Sequence, residues 1–126
     1  MKFQPDRLDG VNVISRLERG RLWVHQTPFE SSVLVPWAGE VQAWPARQPQ
    51  ELQAAHFEQV LAMSPELVIF GSGEQQRFVP PSLYRALIER RIGIETMDTA
   101  AACRTFNVLV TEGRRVVGAM LVGAAS

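Results

Sequence analysis

A chain of 126 residues with 46% apolar and 21% charged side chains is long enough to bury a core and too apolar to stay disordered. Thirteen basic side chains balance thirteen acidic ones, so no overall field draws in nucleic acid or an anionic membrane. No apolar run approaches the ~18–20 residues of a membrane span, and a lone cysteine, Cys103, closes no intrachain disulfide and builds no multi-cysteine zinc site.

In chain order, Met1–Asp6 shows neither an apolar secretory segment nor the Arg-rich, acid-poor pattern of a transit peptide, so a cytoplasmic, reducing compartment is expected. Residues 11–45 read as short strands and tight turns. Val11, Val13 and Leu17 recur at odd positions, Gly20 punctuates, and Leu22, Val24 and Gln26 alternate with Trp23 and His25. Val33–Val35 is a short strand closed by Pro36, and residues 41–44 form another closed by Pro45. This half predicts an antiparallel β-layer or edge, followed by a polar connector over residues 46–50.

The second half alternates helix and strand. Leu52, Ala55, Phe57, Val60 and Leu61 fit a helix over 51–62 that Ser64-Pro65 stops. Leu67–Phe70 is an uninterrupted apolar run, the mark of a strand covered on both faces, and it ends in Gly71-Ser72-Gly73. Pro80-Pro81-Ser82 starts a second helix with Leu83, Tyr84, Leu87 and Ile88 on one face. Gly93 ends that helix, Ile94–Met97 is a strand, and Asp98-Thr99 caps a third helix that runs to Gly113. Val116–Val122, almost wholly apolar, is expected at the centre of the sheet. The order β-β-β-β-α-β-α-β-α-β predicts one α/β domain over residues 1–126, a mixed sheet flanked by helices with an added N-terminal β-layer.

These residues carry a resemblance. Phe70-Gly71-Ser72-Gly73, Arg77-Phe78, Pro80, the block Met97-Asp98-Thr99 with Ala102-Cys103-Arg104-Thr105-Phe106-Asn107, and Glu112–Val116 resemble the Mth-like α/β family. Its relatives include mitochondrial complex I assembly factor three, and the likeness extends upstream through Ser32–Val35 and Trp44. It implies a three-layer α/β fold around a central mixed sheet, and it supplies no catalytic residues to carry over. Ser72 stands where the family usually has threonine, and Phe106 where tyrosine is common, which removes a phenol from any proposed chemistry.

Each chemical motif has a competing structural reading. Gly71-Ser72-Gly73 is not a dinucleotide fingerprint, because Gln76 stands where the third glycine belongs and the next helix starts too late to meet a pyrophosphate. Nor is it a nucleophile elbow, since Gly-x-Ser-x-Gly is absent. A tight turn serving packing is the simpler reading. Cys103 has three alanines before it and reads as a small core residue rather than a nucleophile. His25 and His56 are too far apart in sequence to suggest a metal site, and no metal or cofactor is expected.

If the strands before Gly71 and Asp98 are parallel neighbours, their ends open on one rim. Gly71, Ser72, Gly73, Asp98, Thr99, Arg104, Thr105 and Asn107 are therefore the candidate pocket, with amides and a guanidinium suited to a small anion. The alternative is that they cap and bridge local backbone. Trp23, Trp37 and Trp44 lie in the β-rich half, and Trp37 and Trp44 are the candidate interface. Two functions follow: a non-enzymatic protein-binding or assembly-assisting module, which is preferred, or a small-molecule or anion site at the rim that could be enzymatic. The expected partner is another protein, with no nucleic acid and no membrane insertion.

Overall fold

The computed structural model describes residues 10–123; the start read above for targeting signals lies outside them. Among the described residues, eight strands and three helices follow in the order β1 (Ile14–Glu18), β2 (Arg21–Val24), β3 (Thr27–Phe29), β4 (Val33–Pro36), β5 (Gln42–Ala43), α1 (Ala54–Leu61), β6 (Leu67–Gly71), α2 (Arg85–Glu89), β7 (Gly93–Met97), α3 (Thr99–Thr111) and β8 (Val116–Met120). Strands β1–β3 form an antiparallel meander. The other five make a mixed sheet in the order β5-β4-β8-β6-β7. Strands β6, β7 and β8 run parallel, and β4 meets β8 antiparallel.

The central sheet is covered on both faces, which makes the fold a three-layer α/β arrangement. On one face α3 and the inner side of the meander bury Ile14, Leu22, Val35, Ile69, Phe106 and Met120. On the other, α1 and α2 bury Leu34, Phe57, Phe70, Leu87, Val117 and Leu121. This double cover is why β6 and β8 are apolar at nearly every position. Burial of all five residues in each strand follows from their central place.

Several elements depart from the sequence expectation. An unforeseen strand, β3, runs through Pro28, which is tolerated because β3 is the outer strand of the meander. The odd-position alternation of the first strand breaks because the β1–β2 register shifts between Ile14 and Arg16, turning both Ile14 and Leu17 toward the core. Helix α1 starts at Ala54, later than expected. Gln53 and His56 form its capping box, the Gln53 N–H donating to His56 Nδ1 at 3.0 Å, and a 3-10 turn over Pro49–Glu51 precedes it. The second helix begins as a 3-10 turn at Pro81–Tyr84 and is regular only over α2. Its Ile88, expected on the buried face, is 52% exposed.

Among the described residues, no helix is long and apolar enough to cross a membrane.

Candidate functional site

Strands β6 and β7 are parallel neighbours, so Gly71–Gly73 and Asp98–Thr99 meet at one rim. Helix α3 follows β7 onto one face of the sheet, and the chain after β6 leads to α2 on the other. That divergence normally leaves a ligand crevice at the strand ends. Here the crevice is stitched shut. The Ser72 N–H donates to the Met97 carbonyl at 2.9 Å, and the Thr99 N–H to the Gly73 carbonyl at 2.8 Å. The Gly73 N–H donates to Thr99 Oγ1 at 2.9 Å, and that hydroxyl donates to the Leu121 carbonyl at 2.8 Å.

Gly71 owes its identity to the same closure. A Cβ there would lie 2.9 Å from Thr99 Oγ1 and 3.0 Å from Thr99 Cα, so the start of α3 sits directly on the glycine. Ser72 is 3% exposed. Its hydroxyl donates to the Gln75 carbonyl at 2.7 Å, has the Met97 carbonyl as a second acceptor at 3.2 Å, and accepts from the Arg77 N–H at 2.8 Å. Asp98 caps α3, its Oδ1 accepting the Ala101 N–H at 2.8 Å. Two of the amides that an anion would seek at this helix start are thus taken, Thr99's by the Gly73 carbonyl and Ala101's by the chain's own carboxylate, which also opposes a second negative charge.

Space opens beside the stitched rim, in a cleft of about 890 Å³ between the β1–β2 turn, residues 47–50, the loop after β6 and the start of α3. Ser72, Gly73, Asp98 and Thr99 line it. Its charges are Arg19, Arg47 and Arg77 against Glu18, Glu74 and Asp98, and Arg19 Nε donates to Glu74 Oε1 at 2.8 Å. Three charges of each sign leave the cleft lining with no net charge. The walls from the β1–β2 turn and residues 47–50 carry only turn and connector signals in sequence, so their convergence here was not foreseeable from it.

The remaining rim candidates lie elsewhere. Arg104 is exposed on the outer side of α3, Thr105 is half-buried one step on, and neither lines the cleft. Asn107 is 7% exposed and turned toward the meander: its Oδ1 accepts the Ile14 N–H at 2.9 Å and its Nδ2 donates to the Ile14 carbonyl at 2.8 Å. It acts as one rung of a sheet ladder and pins β1 to α3. Cys103 is fully buried, and burial pushes its thiol up to about 12 despite the nearby Arg104 guanidinium.

Trp44 is corrected as an interface candidate. It is 1% exposed, its indole Nε1–H donates to the His56 carbonyl at 3.1 Å, and its ring packs edge-on against Phe57 and Phe70. Trp37 is half-buried and packs against both cores. His56 Nε2 faces the Pro45 carbonyl at 3.1 Å; with Nδ1 accepting from Gln53, Nε2 carries the proton and both ring nitrogens hold local backbone. Among the described residues, no group of three or more His, Cys, Asp or Glu is placed to hold a metal ion.

Among the described residues, the exposed large apolar side chains are Phe78 (77% exposed), Val108 (55%) and Ile88 (52%). Phe78 lies on the loop after β6, two residues beyond Gln76, whose Nε2 donates to the Thr96 carbonyl of β7 at 3.1 Å. The sequence contains Phe78 in plain view, but nothing in its periodicity separates an exposed loop aromatic from a buried one.

The chain is 34% identical over 122 residues to the mouse protein named NADH dehydrogenase (ubiquinone) 1 alpha subcomplex assembly factor 3, covering 95% of this chain and 64% of that one. It is 31% identical over 67 residues to a Francisella tularensis protein named 13 kDa major membrane protein, covering 53% of this chain and 54% of that one. It therefore spans between half and two thirds of these relatives' lengths. The solution structure of a Bordetella pertussis protein, described as a Mth938-like domain, is 29% identical with a TM-score of 0.85, covering 100% of this chain and 95% of that one. Residues 14–121 match the model of the protein family of unknown function DUF498/DUF598. The chain belongs to the DUF498/DUF598 family and has the Mth938-like fold.

Proposed function

We propose that this chain is a non-enzymatic protein-binding module that assists the assembly of another protein or complex. The observation that carries the reading is the likeness to the mouse assembly factor across 95% of the chain. The rim agrees with it. The Ser72 and Thr99 hydroxyls and the Ser72, Gly73 and Thr99 amides are used within the chain, and the cleft lining has no net charge, whereas Phe78 on the loop after β6 and Ile88 on α2 stand exposed. Exposed aromatic and branched side chains are what a protein interface uses as anchors. The lone buried cysteine suits work in a reducing cytosol.

Affinity capture from a bacterial lysate tests the reading. The wild-type chain is expected to retain the same proteins in repeated captures, and Phe78→Ser or Ile88→Ser to lose them without loss of helix signal by circular dichroism. Background-level recovery by the wild-type chain would refute it.

A further inference from the structure

The central sheet has two outer strands, and they are treated differently. Strand β5 has two residues, is followed by Pro45, and has its Ala43 carbonyl held by Gln59 Nε2 at 3.1 Å. These are the usual means of blunting an edge. Strand β7 has five residues, contains no proline and, among the described residues, pairs only with β6.

The direction of its polar groups follows from the ladder. The Met97 carbonyl accepts from Ser72, so Met97 faces β6, as do Glu95 and Gly93 by alternation. Ile94 and Thr96 therefore turn their N–H and carbonyl groups outward. The Gln76 amide on the Thr96 carbonyl agrees with that direction, one exposed side chain standing in for one rung of a missing strand.

Charge selects the occupant. A second copy pairing antiparallel through both Ile94 and Thr96 centres on Glu95, setting two exposed carboxylates opposite each other at a close, non-hydrogen-bonded position. A strand carrying Lys or Arg at that position meets an opposite charge instead. Phe78, within ~7 Å of chain from Gln76, adds an apolar anchor near the Thr96 end.

On the protein-binding reading above, we infer that β7 accepts an extended segment of a partner protein as a sixth strand, with a basic side chain opposite Glu95 and an apolar one beside Phe78. The test uses a random dodecapeptide display library as probe, followed by titration of the selected synthetic peptides. Selected sequences should alternate apolar residues around a fixed Lys or Arg. Binding should weaken roughly tenfold or more in Ile94→Pro, which removes an outward N–H that makes no bond to β6. It should tighten in Gln76→Ala, which frees the Thr96 carbonyl. Should Ile94→Pro misfold, Glu95→Lys decides on its own: selection on that variant should favour Asp or Glu.

Peptides indifferent to Ile94→Pro and Glu95→Lys overturn the edge assignment while leaving a protein-binding module that docks elsewhere. Failure to select any peptide also overturns it, and the lysate capture then decides the broader reading by itself. A wild-type dimer that Ile94→Pro dissolves would place a second copy on β7 and overturn it too.

Discussion

Replacing Asn107 with alanine tests whether one buried side chain holds the meander onto the rest of the fold. Asn107 is 7% exposed and Ile14 is 0% exposed, and the two exchange hydrogen bonds of 2.9 and 2.8 Å across 93 positions of sequence. Each such bond contributes ~1 kcal/mol net. A buried N–H or carbonyl left without a partner costs ~1–3 kcal/mol. Asn107→Ala removes both bonds and orphans both Ile14 groups, so the expected loss is about 2–6 kcal/mol, the upper end applying if no water enters. Urea unfolding followed by circular dichroism reads it as a lower midpoint at unchanged slope. Hydrogen exchange at the Ile14 amide should rise well beyond that of β6 and β8, because β1 opens before the central sheet does. Asn107→Asp keeps an acceptor for the Ile14 N–H but loses the donor to its carbonyl. That variant should regain stability as the pH falls, since a protonated carboxyl donates again. A loss below ~0.5 kcal/mol in Asn107→Ala with the Ile14 amide still protected would refute the clip.

Gly71→Ala should cost ~1–3 kcal/mol, because the new methyl meets the Thr99 backbone at 3.0 Å and not just a flexible side chain; a melt unchanged from wild type would contradict that packing. Thr99→Val keeps the shape and deletes the hydroxyl that joins Gly73 to Leu121, so a loss of ~1–3 kcal/mol in urea unfolding is expected. Cys103 should resist iodoacetamide in the native protein near neutral pH and react at the rate of unfolding; fast labelling would show that the thiol is not sealed. Its thiol is raised from 9.0 to about 12, so between those pH values the folded chain keeps a proton that the unfolded chain releases. Stability must then fall as pH rises through that window, by up to ~1.4 kcal/mol per pH unit, and Cys103→Ala should flatten this part of the profile.

The layers of this fold were legible because burial leaves a periodic trace. Four successive apolar residues at Leu67–Phe70 need cover on both faces, and the almost wholly apolar run from Val116 asks for the same, so two inner strands follow from the pattern, while their parallel pairing is seen only in the fold. Purposes that depend on a distant element left no such trace. Gly71 is small because α3 arrives on top of it, and Asn107 is an asparagine because Ile14 lies opposite, neither of which is written in the adjoining residues. Trp44 sits beside a strand-closing proline like a surface aromatic, yet Phe57 and Phe70 enclose it from two other elements. Arg104 and Thr105 share a helix turn with Cys103, but their outward direction emerges only once the buried face of α3 is known.

The same distinction bears on the proposed docking edge. A rim at the ends of parallel strands is the customary place for a ligand, and the Gly71-Ser72-Gly73 turn stands at one. Yet Ser72, Gly73 and Thr99 continue the β6–β7 pairing beyond the strands, spending on the fold the amides and hydroxyls that a ligand would need. What that continuation leaves without a partner strand, among the described residues, is the other side of β7, where Gln76 alone is seen to reach the Thr96 carbonyl. Closing the rim holds β7 rigidly against β6, and a rigid strand with outward amides binds an incoming strand with little ordering of its own to lose. The glycine turn is then the support of a recognition edge: Gly71→Ala should weaken a β7-binding peptide as well as the fold, in proportion to the disorder it introduces at Ile94 and Thr96. Peptide affinity unchanged in folded Gly71→Ala, with faster exchange at those two amides, would separate the rim from the edge.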